Sequence, residues 1–430
     1  MKTIHFISVL GAGNYIPTLY GNSKSEEEYV QIAIAKKLIA SKKADENLRV
    51  TVFCTEVSKE KHWNNKLEIQ FNDLLGEIGN VECVDIPFDK NTKRELMQVF
   101  SIIADSMDEN EEIVFDVTHA FRSIPMIALS ALVFARTIKN VKVKRIFYGA
   151  FEAKDDEGRA PLIDLKAFLD IIDWSQAASS FVKYGSSDEI HDITQKSQNE
   201  YMRNMGDCLY GFTHGLETSR GRYRRNAGQD NENSSYYYSA KEFLEEKNEY
   251  LNNPRHGDES LEKPWVSLLD IIADKMEEFN TSGYDPVKQG LAAVKWAIAN
   301  KRTQQGYTAL EETVKTFLCK KYELDVAERS QREATKIVCF CKSEDITVQQ
   351  FKNRIARESI VGADSSKKLL NLFNDLPKEF AETYCSIVKK RNSLNHFGYS
   401  DREHYYKWME LDISLENLYE EIQNHIYSWK

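Results

Sequence analysis

The sequence predicts two classes of structure in one chain: an α/β N-terminal domain with a Rossmann-like, mostly parallel sheet, then an all-α C-terminal domain. Three observations predict this. Residues 1 to about 175 alternate short β-branched runs with helical patterns, as right-handed βαβ units do. The texture changes near residue 176, after which no convincing parallel-strand run recurs. From Pro286 onward, apolar residues return at helical spacing to the end of the chain. The expected division is 1–175, a helical connector with polar loops at 176–285, and a helical domain at 286–430.

Taken in order, TIHFISVL reads as a buried strand running into Gly11-Ala12-Gly13. Ser25-Glu26-Glu27-Glu28 reads as a capping box ahead of the helix YVQIAIAKKLIA. RVTVFCT, VECVDIPF, EEIVFDVT and VKVKRIFYGAF are further strands, and Ile124 to Ile138 is an apolar helix between the last two. Residues 186 to 262 are polar and include an arginine cluster, Arg220 to Arg225, in a glycine-containing loop. Beyond Pro286, VKQGLAAVKWAIANKR, TALEETVKTFLCKKY, KKLLNLFNDL, FAETYCSIVKKRNSLNH and LENLYEEIQNHIYSW carry the helical pattern.

Composition narrows the function. The 430 residues are 42% hydrophobic and 29% charged, enough for two or three real cores. The formal net charge of -10 excludes a protein that coats a duplex by neutralising phosphates. Any nucleic acid is then handled in a local cleft. The seven cysteines are an odd number and contain no C-x-x-C, so they read as reduced, buried, cytoplasmic thiols rather than a zinc site. MKTIHFISVLGAG reads as a strand and not a signal peptide, and IPMIALSALVFA is too short to span a bilayer. A soluble cytoplasmic protein without membrane partners is expected.

Two constellations carry chemistry. In open α/β sheets, ligands bind beyond the carboxyl ends of the strands, where the strand order reverses. LGAGNYIP and DVTHAFRSIP stand at two such ends. Gly11 and Gly13 let backbone approach a ligand closely, with Asn14 and Tyr15 beside them. Thr118, His119, Arg122 and Ser123 crowd into the turn before an apolar helix. Backbone N–H groups at that helix start favour anions, and Arg122 can grip a phosphate. A dinucleotide fingerprint is a poor fit, because Ile16 stands where the third glycine belongs.

The second constellation is KKRNSLNHFGY near the end of the chain, with Arg391, Asn392 and His396 inside six residues. An imidazole can both take up and release a proton, so His396 can move one. Arg391 is always charged, and its planar fork suits non-bridging phosphate oxygens. Asn392 can orient an oxygen or the imidazole. These types suit RNA cleavage by attack of a 2′-OH on its neighbouring phosphorus, a reaction closed to DNA. No carboxylate cluster reads as a metal site. On an ideal helix Arg391 and His396 stand about 140° apart, so one helix presents the pair awkwardly. Two helices meeting in a homodimer would form one composite pocket. A plainer reading is a solvated helix end that Gly398 stops, its cations answering the helix dipole.

These strings carry a resemblance. SVLGAGNYIPTLY, DVTHAFRSIP, VKRIFYGAFEA…APLIDL and DWSQAASSFVKYG together resemble the CARF domain of CRISPR-associated proteins of type III systems, over residues 4 to 185. Ala120 departs from the Gly frequent in relatives. Arg391-x-x-x-x-His396 resembles the signature of HEPN ribonucleases, and Gln304, Gln305 and TALEETVK are similar to earlier helices of that domain. The resemblance implies a homodimer that binds cyclic oligoadenylate across its two-fold axis through Gly11, Gly13, Asn14, Tyr15, Thr118, His119, Arg122 and Ser123. Cyclic tetra-adenylate is favoured over hexa-adenylate as activator, with no other cofactor and no metal. Arg391, Asn392 and His396 would then cut single-stranded RNA. Weak cleavage of the ring by the CARF domain, with Thr118 and His119 involved, is also implied. Two other readings stand beside this one. A ligand-sensing transcription regulator would need a basic recognition helix in 176–430. A helical RNA- or partner-binding protein would leave Arg391 and His396 structural.

Overall fold

In a computed structural model, the structure describes residues 2–43, 45–87, 92–119, 123–219, 221, 236–252, 259–281, 283–358, 362–399 and 406–429. The chain divides into two compact units, Met1–Ile172 and Asp173–Lys430.

The first unit is an α/β layer structure. Its strands are β1 (Lys2–Leu10), β2 (Leu19–Tyr20), β3 (Glu46–Cys54), β4 (Gly79–Asp85), β5 (Glu112–Asp116), β6 (Lys142–Gly149), β7 (Arg159–Ala160) and β8 (Leu162–Asp164). The main sheet runs β4-β3-β1-β5-β6-β8. It is parallel except at its edge, where β8 lies antiparallel to β6. The expected mostly parallel sheet is therefore present, with all five expected long strands. β1 lies between β3 and β5, so the strand order reverses there, and the ends beyond Leu10 and Asp116 stand where open α/β sheets form their ligand crevice. Buried apolar residues pack on both faces of the sheet, around Phe6, Val50 and Phe71 in one cluster and Ile7, Phe115 and Leu132 in the other. That two-sided burial is why the strands read as continuous apolar runs.

The expected capping box is corrected. The first helix, Val30–Ser41, begins after Tyr29 and has no side-chain cap. Ser25 instead donates to Glu27 at 2.6 Å. Seven of the helix's residues are buried, so packing holds it where a cap does not.

Among the described residues of the second unit, every regular element is a helix. Ala177, Phe181, Phe212, Tyr236, Phe243 and Ile272 belong to one buried cluster, and Tyr307, Val314, Phe351, Tyr384 and Ile422 to another. The first cluster lies partly in the polar stretch read as a helical connector with loops. There the helices Glu200–Glu217 and Tyr236–Asn252 bury aromatic side chains under polar outer faces. Helices Arg329–Ser343 and Val348–Glu358 fall inside the expected helical domain, although their strings are not among those read as helices. The arginines of the cluster 220–225 lie outside the described residues. Among the described residues no helix is long and apolar enough to cross a membrane, and none of the seven cysteines is in a disulfide.

Candidate functional sites

The crevice of the first unit is built from the loop after β1. The Tyr15 side chain folds back so that its Oη accepts from Gly11 N–H (3.0 Å) and donates to the Gly11 carbonyl (3.1 Å). Burial pushes its phenol far above the ordinary range, against the Gly11 bond. The ring meets His62 at 4.7 Å and His119 at 4.6 Å, both edge-on. Gly11 packs against the turn after β5: a Cβ there would lie 3.4 Å from the Cβ and carbonyl oxygen of His119, in van der Waals contact. Gly13 faces open space, and Asn14 is exposed.

The turn after β5 is anchored by Asp116, which is fully buried. It accepts from Ser8 Oγ (2.7 Å), Thr118 Oγ1 (2.6 Å) and Thr118 N–H (3.0 Å). Burial raises its carboxyl above the usual range, although these three bonds lower it. The Thr118 hydroxyl also accepts from Gly149 N–H at 2.8 Å. Thr118 therefore ties β5 to β6 and faces inward. His119 Nε2 is buried and has no partner among the described residues. Burial and then the neighbouring His62 bring its imidazole down to about 4. Ser123 opens the helix Ser123–Lys139, half-buried at the crevice. Arg122 lies outside the described residues.

Two residues unmarked by sequence reasoning complete this rim. Residues Lys59–Leu67 wind as π-helical turns after β3. His62 Nε2 lies 2.8 Å from the Gly13 carbonyl. The exposed Lys61 ammonium donates to the carbonyls of Ala12 (3.0 Å) and Gly13 (3.4 Å) and to Asn14 Oδ1 (3.0 Å). Their signal was position: β3 neighbours β1, so the segment after β3 lies on the same crevice rim.

The second site lies at the end of the helix Lys378–Asn395. Arg391 and Asn392 are half-buried and His396 is exposed. Arg391 Nη1 donates to Asn392 Oδ1 at 3.3 Å, and its Nε lies 3.5 Å from Glu311 Oε2. Glu311 and Lys315 are almost wholly buried and form a 2.9 Å ion pair. Lys315 also meets Glu312 (3.0 Å) and Glu333 (3.2 Å), and Arg332 meets Glu312 at 2.5 Å. Burial alone would lower the Lys315 ammonium, but Glu312 and Glu311 raise it. Arg391 thus stands at the outer end of a ladder of alternating charges. Gln304 donates to Asn395 at 3.1 Å, joining the helix Thr303–Lys321 to the same end. The missed residue here is Glu311, whose signal was a carboxylate inside the apolar pattern of TALEETVK.

The helix stop differs from expectation. The residue in the left-handed conformation after the His396 cap is Phe397 (φ 58°), with Gly398 (φ 76°) following it. Phe397 N–H bonds Leu394 O at 3.1 Å and Gly398 N–H bonds Ser393 O at 2.9 Å, the two bonds of a Schellman stop. A phenylalanine in that conformation costs roughly 1–2 kcal/mol that glycine avoids. Arg391 remains helical while His396 does not, and among the described residues no hydrogen bond joins their side chains. Likewise among them, no three His, Cys, Asp or Glu side chains are grouped to hold a metal ion.

Residues 17–152 match the family model described as "CRISPR system endoribonuclease Csx1, CARF domain". The chain is also 24% identical over 327 residues to CRISPR-associated protein MJ1674 of Methanocaldococcus jannaschii, an alignment covering 73% of this chain and 47% of that protein. The chain thus spans about half the length of this curated relative.

Proposed function

We propose that the chain is a CARF-containing protein of the type III CRISPR class and an endoribonuclease switched on by cyclic oligoadenylate, a reading supported by the match of residues 17–152 to the Csx1 CARF model and by the 24%-identical CRISPR-associated relative. The crevice of the first unit takes the ring, cyclic tetra-adenylate in preference to hexa-adenylate. Open Gly13, the Lys61 cation and the unpartnered His119 Nε2 support an anionic, base-bearing ligand there. A two-fold homodimer lets each subunit supply the same loops to half of the ring. The 286–430 portion then acts as the HEPN ribonuclease, with 176–285 as the helical connector.

The observation that carries the ribonuclease reading is the helix end that holds a braced Arg391 and Asn392 beside an exposed His396. Two such ends in a homodimer bring two arginines and two histidines to one phosphate. One imidazole accepts the 2′-OH proton as O2′ bonds to phosphorus. The P–O5′ bond breaks, and the 5′-oxygen leaves with a proton from the second, protonated imidazole. Arg391 neutralises charge on the non-bridging oxygens. The products are a 2′,3′-cyclic phosphate and a 5′-hydroxyl, and single-stranded RNA is the substrate.

A cleavage assay tests this. Full-length protein meets labelled single-stranded RNA in excess EDTA, alone or with cyclic tri-, tetra- or hexa-adenylate. The expected result is cutting with cyclic tetra-adenylate and at least a hundredfold loss in His396→Ala, the scale of general acid–base catalysis at about 10²–10⁴-fold. Ring binding without RNA cleavage overturns the ribonuclease half and leaves a ligand-sensing regulator.

A further inference from the structure

Two aromatic side chains follow His396 closely in the chain, and nothing in the proposed chemistry uses them. Phe397 is 90% exposed and Tyr399 is 87% exposed. An exposed phenylalanine is common enough to need no explanation alone. This one occupies a left-handed position that glycine fills without strain, and glycine follows immediately after it. The turn is also firmly closed. Gly398 N–H bonds Ser393 O, and Tyr399 N–H bonds His396 O, each at 2.9 Å. The helix end thus keeps a strained aromatic residue in a hydrogen-bonded turn and exposes its ring next to His396 in the chain. Backbone strain that persists at a site is a pointer to function.

We propose that Phe397 and Tyr399 form a stacking platform for the bases flanking the cleaved phosphate of single-stranded RNA. The proposal rests on the ribonuclease reading for its choice of RNA. Base stacking on aromatic rings is tolerant of sequence, because every base has a π-face, and it adds to whatever charged groups meet the phosphates. It answers a difficulty of this chain, whose net charge of -10 gives little general attraction for a polyanion. Stacking holds the nucleotide while Arg391 meets the phosphate, so that affinity comes from bases and chemistry from the charged groups. An unpaired strand fits such a platform because its bases can splay apart, and a duplex does not.

The test uses the full-length protein and a short single-stranded 2′-O-methyl RNA carrying one 2-aminopurine. That probe has no free 2′-OH and is not cut by the chemistry above. Its fluorescence reports stacking, with and without cyclic tetra-adenylate or hexa-adenylate. Wild-type protein is expected to quench the probe. Phe397→Gly and Phe397→Leu each weaken binding about tenfold, within the range of one base–aromatic stack, and Phe397→Trp retains it. The glycine variant, relieved of strain, unfolds at the same or a higher temperature, which a merely structural role for the ring would not give. Equal affinity across the variants overturns the proposal, as does failure of the wild type to bind. A fall from dimer to monomer in Phe397→Gly, read by light scattering, also overturns it by making the ring a subunit contact. Quenching without cleavage of ordinary RNA keeps the platform and defeats the ribonuclease reading. Cleavage with indifferent affinity does the reverse.

Discussion

His119 shows how one side chain can report on a crevice. Its imidazole is brought down to about 4 by burial and by His62, while an unfolded histidine titrates near 6.5. Above about pH 6.5 both states are neutral. As pH falls from there toward 4, the unfolded chain takes a proton that the folded one refuses, so stability is lost in this window. The loss reaches up to about 3 kcal/mol for His119, and His62, also lowered by burial, adds to it. Denaturant titrations of wild type and His119→Gln between pH 7 and pH 4.5 should show a shallower slope in the variant. An unchanged slope would remove His119 as the source. Lys315 is the counterpart in the helical unit, kept charged inside the protein by the carboxylates around it.

At the scale of elements, the π-helical segment Lys59–Leu67 decides the shape of the first site. It brings Lys61 and His62 onto the Ala12–Asn14 loop from a neighbouring strand. With the Lys61 ammonium on that loop, a ligand phosphate at Gly13 gains a charge-assisted contact. Lys61→Ala should weaken binding of cyclic tetra-adenylate by roughly tenfold or more, since a hydrogen bond to a charged group contributes about 1.5–3 kcal/mol. Titration calorimetry measures it, and unaltered affinity would place the phosphates elsewhere. This element was not legible in KEKHWNNKL, whose mean character is polar and whose single histidine carries no spacing signal. By contrast, the helix Lys378–Asn395 was legible, and so was the gathering of Arg391, Asn392 and His396 at its end. What the local pattern hid was the stop itself, because Gly398 draws the eye from the residue before it.

At the scale of the whole molecule, the chain has two compact units, Met1–Ile172 and Asp173–Lys430, each with its own buried clusters. Scanning calorimetry should therefore resolve two unfolding transitions. Cyclic tetra-adenylate at about 100 times its Kd should raise only the transition of the α/β unit, by about 2.7 kcal/mol. A single transition that moves as one would instead mean that ring binding stabilises both units together. The α/β-then-helical order, the five long strands and the two clusters of chemistry-bearing residues are all legible along the chain. They are legible because two-sided burial writes continuous apolar runs and helical packing writes a 3.6-residue period. Which side chains share a site depends on contacts between distant parts of the chain. Thr118 turns inward to Asp116 and Gly149, Lys61 and His62 join the glycine loop, and Glu311 braces Arg391. Each of these contacts joins residues through strand order, a turn or helix packing, and none leaves a periodic trace along the chain.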